Sequence, residues 1–198
     1  MTRFFNVGQI IRKSLWVLLA APGLVLAGAQ ELPVDAWEQP QGFGAWEARL
    51  VHINETSAIA RLTATDELFE QAIMLDFDSS SRFWIYVFTM LSPAEIASWG
   101  DRADSIDTEL RVDLGEPYVG KWERRVEGKS LLKRLEAELG ADFLVDLAKG
   151  RRLKVTDSVN GRTFVTGFPL DGFEPALVHA AQRLADFRKA QAKAPAKP

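Results

Sequence analysis

The 198 residues hold two histidines and no cysteine, so the side chains that most often carry catalysis are scarce here. A histidine base serving a hydroxyl nucleophile would have to be His52 or His179. His52 lies between Val51 and Ile53 in a strand-like run. His179 stands one step from the apolar stripe of the last helical segment. Neither is near a Gly-x-Ser-x-Gly turn, and the chain has none. Both read as packed or surface histidines. Two acidic groups stand out, Asp76 with Asp78, and Asp101, Asp104, Asp107 with Glu109. Neither has the central glycine and distal glutamate of a calcium loop. An adventitious calcium ion at the second group is the one metal reading left open, because softer metals want thiolate or imidazole.

Phosphate binding offers two near misses. Gly115 to Trp122 reads GEPYVGKW, which lacks the hydroxyl residue that holds magnesium and puts a Glu and a Pro in the cradle. Gly128-Lys129-Ser130 lacks the upstream glycine, position 123 being Glu. A carboxylate pair working as general acid and base needs no motif, and nothing singles one out. No catalytic, cofactor-binding or metal-binding residue is therefore assigned, and no cofactor is expected.

The elements that would have to position any site are easier to read. Leu153–Ala185 reads as a strand, an Asn160-Gly161 turn of the type I′ kind, a return strand and a closing helix. Asp171 and Glu174 have capping-box spacing, and Pro175 suits a first helical turn. Leu177, Val178, Ala181, Leu184, Ala185 and Phe187 form that helix's expected apolar stripe. Upstream, Glu47–Ile53 and Ser57–Thr65 read as strands about an Asn54-Glu55-Thr56 turn. Gln71–Phe77 is another. Arg82–Leu91, nearly all aromatic or β-branched, reads as a strand covered on both faces, with a ligand-facing apolar wall as the competing reading. Ser92–Trp99 is predicted as a short capped helix, and Thr108–Leu114 as a half-buried strand with Leu110, Val112 and Leu114 inward. Tyr118–Val126 returns. Lys129–Lys149 is predicted helical, divided at Gly140, with Gly150 ending it.

Length and composition fit one domain with a real core. Arg3, Arg12 and Lys13 precede an apolar run, Ser14–Ala29, too short and too broken by Pro22-Gly23 to span a bilayer. It ends in Ala27-Gly28-Ala29, a small-x-small cleavage pattern, so residues 1–29 are expected to be a signal peptide and the chain to be exported, periplasmic in a Gram-negative-type cell. No membrane span is expected after its removal. An extended leader, 30–41, would precede a single domain over 42–190 and a disordered tail over 191–198. Cleavage takes three bases and no acid, leaving 21 Lys and Arg against 27 Asp and Glu, net −6. Such a balance argues against nucleic acid as a partner. Acid-rich Glu95–Pro117 and base-rich Lys121–Lys154 read as solvated faces of opposite sign.

Two boxes carry a resemblance. Phe43-Gly44-Ala45-Trp46-Glu47-Ala48-Arg49-Leu50 resembles the Phe-Gly-Asp-Trp box that opens the mature domain of invasion-associated locus B family proteins. Ala148-Lys149-Gly150-Arg151, followed by Phe168-Pro169-Leu170-Asp171-Gly172-Phe173-Glu174-Pro175-Ala176-Leu177, is similar to that family's close. Ala45 stands where the family has Asp, Leu50 where it has Cys, and the other family cysteines are absent. The resemblance implies an antiparallel immunoglobulin-like β-sandwich in the periplasm or at the outer surface, with no known catalytic residues. Its members are linked to host-cell invasion. The expected function is then non-enzymatic binding or envelope interaction with an unidentified envelope protein or ligand. The alternatives are an enzyme using a carboxylate pair and a carrier of small apolar ligands.

Overall fold

The computed structural model describes residues 38–68, 70–78, 80, 82–90, 105–127, 130–135, 139–159 and 162–193. Ten strands are joined, every pairing antiparallel, into a single sheet. In chain order they are β1 (Gln41–Phe43), β2 (Trp46–Asn54), β3 (Ser57–Thr65), β4 (Gln71–Phe77), β5 (Phe83–Met90), β6 (Ser105–Val112), β7 (Tyr118–Glu127), β8 (Ser130–Leu135), β9 (Arg152–Val159) and β10 (Arg162–Pro169). Their spatial order is β1-β2-β3-β4-β5-β8-β7-β6-β9-β10. Helix α1 (Ala141–Lys149) precedes β9, and helix α2 (Phe173–Lys193) follows β10.

The mainly antiparallel β class and the closing helix agree with the sequence. The expected immunoglobulin-like pair of sheets does not: the hydrogen bonds draw one sheet. β8 is the reason. It pairs with β5 on one side and β7 on the other, bridging the gap at which two sheets would have parted. Residues 130–135 were expected in a helix, because Leu131, Leu132 and Leu135 fit a helical stripe. The same leucines fit a strand whose two faces are both partly covered, and a short apolar run cannot separate the two patterns. Gly140 does precede a helix, α1, whose Phe143 and Leu147 are fully buried. Leu114 is a second correction. Expected inward with Leu110 and Val112, it lies past the end of β6 and is 97% exposed, because Asp113 takes φ +50° and breaks the alternation. The predicted helix Ser92–Trp99, the Asn160-Gly161 turn, Asp101, Asp104 and the N-terminal segment lie outside the described residues, although β9 and β10 pair with Val159 opposite Arg162.

The sheet curls so that its inner face encloses the core. On β2, β3 and β4 the inward set is Trp46, Ala48 and Leu50, then Ala58, Ala60, Leu62 and Ala64, then Ile73, Leu75 and Phe77. The small residues of β2 and β3 leave room for α2, which lies against those strands through Phe173, Ala176, Ala180 and Leu184. Val178, expected in that stripe, is 64% exposed, so the buried face is centred one position away from the expected one. The inner face also holds one buried ion pair. The Lys133 ammonium meets Asp157 at 2.5 Å, and the same carboxylate accepts from Thr108 (2.8 Å) and the Trp122 indole N–H (2.7 Å).

The outer face differs between the two halves of the sheet. On β2–β5 it is buried, with Met74 and Phe88 packed together and Arg61 bonded through two nitrogens to Asp76, each at 2.7 Å. On β6–β7 it is exposed, and acid-rich meets base-rich sequence there as solvated cross-strand pairs such as Lys121 with Asp107. Their solvation agrees with the sequence, but the expected separation into faces of opposite sign does not hold, since both signs share this one face.

Candidate functional site: two sides of the closing helix

Helix α2 joins what the sequence leaves 120 or so residues apart. The N-terminal end of α2 meets the β1–β2 corner in a close seam. The Ala45 N–H donates to the Asp171 carbonyl (3.0 Å), and the Trp46 indole N–H donates to the Pro169 carbonyl (2.9 Å). The Trp46 ring stands edge-on to Phe173, centroids 4.9 Å apart. Gly44 and Gly172 both hold positive φ, +60° and +83°. A side chain on Gly172 would be driven into the Phe43 carbonyl, and one on Gly44 into Asp171. Two backbone corners therefore approach each other as only glycines permit. The two sequence boxes are the two halves of this one joint. Asp171, expected as a helix cap, uses its carbonyl for the joint instead, and α2 begins at Phe173 with the Gly172 carbonyl accepting from Ala176.

Beyond the seam, α2 has a cleft on each flank. The first is polar, lined by Glu38, Gln39, Gln41, Arg49, His179 and Arg183. Arg183 pairs with Glu38, and the His179 ring packs on Phe43 at 5.2 Å. Burial, reinforced by Arg61 next to it across the strands, brings the Arg49 guanidinium down to about 10. Arg61 itself is held up: burial opposes its charge, but the Asp76 charge and hydrogen bonds outweigh that.

The second cleft is apolar, a space of about 200 Å³ between α2, α1 and the ends of β3 and β4. Its floor is Ala60, Phe77 and Leu184, and its walls are Leu144 and Leu177 with Ala181. It exists because α2 presents alanines where larger side chains would have met the sheet. Asp78 and Arg188 stand at the mouth. Asp78 is already engaged, accepting from Ser80 and from Arg82 (2.9 and 3.1 Å). Partial burial works against its charge, yet these bonds hold its carboxyl below the usual range. Helix α1 is held in place as the far wall by Tyr118, whose hydroxyl donates to Asp146 at 2.7 Å and whose ring stands edge-on to Phe143. That hydrogen bond, then burial, pushes the Tyr118 phenol up to about 12.

The residues weighed for chemistry in the sequence are dispersed. His52 packs on Phe187 of α2 at 5.2 Å, and His179 packs on Phe43, so the two imidazoles serve aromatic contacts. Asp76 and Asp78 part company, one to Arg61 and the other to Arg82. Asp107 and Glu109 sit on the exposed face of β6, and among the described residues no group of three acidic or histidine side chains could hold a metal. Gly115–Trp122 runs into strand β7, with no helix to form a phosphate cradle. Strand β5, within Arg82–Leu91, is core as expected, and the competing reading of a ligand-facing wall does not hold: Ile85 and Val87 are 2% and 0% exposed, and no residue of that strand lines either cleft. Sequence reasoning missed the apolar cleft itself. Its one sequence trace is Ala180-Ala181 and Ala185 on a helix otherwise built from larger residues.

Against known proteins, no family model matches the chain, and no curated protein matches it. Among solved structures, the crystal structure of invasion associated protein B from Bartonella henselae is similar, with a TM-score of 0.55 at 13% sequence identity. The match covers 75% of this chain and 99% of that one. The chain has the fold of invasion associated protein B. What this establishes is an architecture: the β-rich body and its helices, over essentially the whole of the neighbour. Among the described residues no helix is long and apolar enough to cross a membrane.

Proposed function

We propose that the chain is an exported envelope protein of the invasion-associated B type, a cysteine-free relative that binds a partner and performs no chemistry of its own. The observation that carries this reading is the shared fold, which spans 99% of the Bartonella protein. Two features lend it support. The basic, apolar Met1–Ala29 segment has the composition of a secretory leader with a small-residue cleavage site. The buried carboxylates Asp76 and Asp157 are saturated by cation and hydrogen-bond partners, which suits structural pairs better than a general acid or base. Location in the periplasm follows from the leader, and binding follows from the clefts that flank α2.

The test is fractionation of the native cell, intact mass of the chain, and in-cell cross-linking of the envelope. The expected result is a species lacking residues 1–29 in the periplasmic fraction, cross-linked through the α2 side of the molecule. Unprocessed chain accumulating in the cytosol would overturn the export reading, and an envelope yielding no cross-linked product would overturn the binding one.

A further inference from the structure

From the second cleft we infer a specific ligand class: a small free monocarboxylate bearing a short alkyl chain or a single ring. The inference rests on the reading of the chain as a binding protein and is independent of where it resides. Three observations carry it. The first is size. An apolar cavity of about 150 Å³ takes up benzene, so a space of about 200 Å³ takes a group of that size or slightly larger and nothing drug-sized. The second is lining. Phe77, Leu144, Leu177 and Leu184 surround the space, and the polar side chains that line it, Asp78 and Arg188, are both at its mouth. A ligand therefore goes in tail first.

The third observation is the sign of the mouth. Asp78 has its oxygens taken by Ser80 and Arg82, so its charge is answered before any ligand arrives. Arg188 is exposed, one turn beyond Leu184 on the helix that forms the cleft's floor, and has no ion-pair partner among the described residues. Asp78 and Arg82 answer each other beside the mouth, which leaves the Arg188 guanidinium as the unpaired charge there among the described residues. An anionic head is thus attracted where a cationic one is repelled, and the planar guanidinium fork matches a carboxylate through two parallel hydrogen bonds. The polar cleft on the other flank of α2 lacks this combination, because Glu38 already answers Arg183.

The test is an NMR titration of the full chain, in the form the cell accumulates, with sodium hexanoate and separately with hexan-1-ol near neutral pH. Saturable shifts are expected at Ala181, Ala185 and Leu144. An exposed ion pair is worth up to about 1 kcal/mol, so hexanoate should bind about three- to fivefold more tightly than the alcohol. Arg188→Gln should bring hexanoate down to the alcohol's affinity and leave the alcohol unchanged. Ala181→Phe, which fills the cleft, should abolish both, with Ala185→Leu as the second filling variant should the first fail to fold. Absence of saturable shifts, shifts that map away from α2, or equal affinities unmoved by Arg188→Gln would each overturn the proposal. A blank titration would leave the cross-linking result standing, so the two readings fail separately.

Discussion

The two ends of α2 are built on opposite principles. At its N-terminus the helix is locked: two glycines in left-handed conformation, two hydrogen bonds and an edge-on aromatic pair hold the β1–β2 corner against the end of β10. Further along, the same helix presents alanines to the sheet and leaves a space with Arg188, unpaired among the described residues, at its mouth. The locked end is filled by close backbone contact, while the far end, which also packs Ala180 and Leu184 on the core, leaves a space beside them. On the proposed reading, the closing joint and the binding cleft occupy different stretches of one helix.

Four measurements would break or sharpen this contrast. The largest effect is expected at the seam. Gly172→Ala places a methyl group against the Phe43 carbonyl at φ +83°, so both clash and backbone strain apply, and unfolding by urea should show a loss of about 3 kcal/mol or more. Trp46→Phe comes next. It keeps an aromatic ring on Phe173 but strips the Pro169 carbonyl of its donor and leaves a small void, for about 2 kcal/mol. A seam variant that left stability unchanged would remove the locked half of the comparison.

The third measurement concerns the wall of the cleft. The chain has two tyrosines, and both phenols are held high, at about 12. Burial does this to Tyr86, with the nearby Asp76 charge adding to it. For Tyr118 the hydrogen bond to Asp146 leads. The folded state thus favours the neutral phenol. That contribution is fully present below the ordinary tyrosine value near 10 and is lost as pH rises through about 12. Tyrosinate absorbance should accordingly stay flat through pH 10 and rise near 12, and Tyr118→Phe should leave a single transition there. A phenol ionising near 10 would mean that α1 is not held by Tyr118. The smallest effect is expected at the mouth and lining. Arg188→Gln and Ala181→Phe should each shift unfolding by no more than about 0.5 kcal/mol, since one is exposed and the other grows into open space. A large loss at either would merge the two regions that the structure separates.

Much of the chain could be read without its tertiary structure. β2, β3, β4, β5, β9 and β10 fall where alternation, β-forming runs and flanking turn residues put them. What misled was local ambiguity. Leu131, Leu132 and Leu135 satisfy a helical and a strand period alike, and only the open edges of β5 and β7 decide between them. The candidate site was not legible, because a cleft is a property of surfaces from α1, α2 and two strands, and no one of these segments shows a gap.

By itself the sequence determined the local periods, the glycines at 44 and 172, and the charge of each segment, because these depend on neighbours a few residues away. Only the tertiary structure decided that the strands form one curled sheet instead of two facing ones. It also decided that the two short boxes meet in a single joint and that Arg188 stands at the mouth of an apolar space. Strand pairing and side-chain contact are settled by which edges and surfaces arrive together in space, and alternation along a chain carries no record of that.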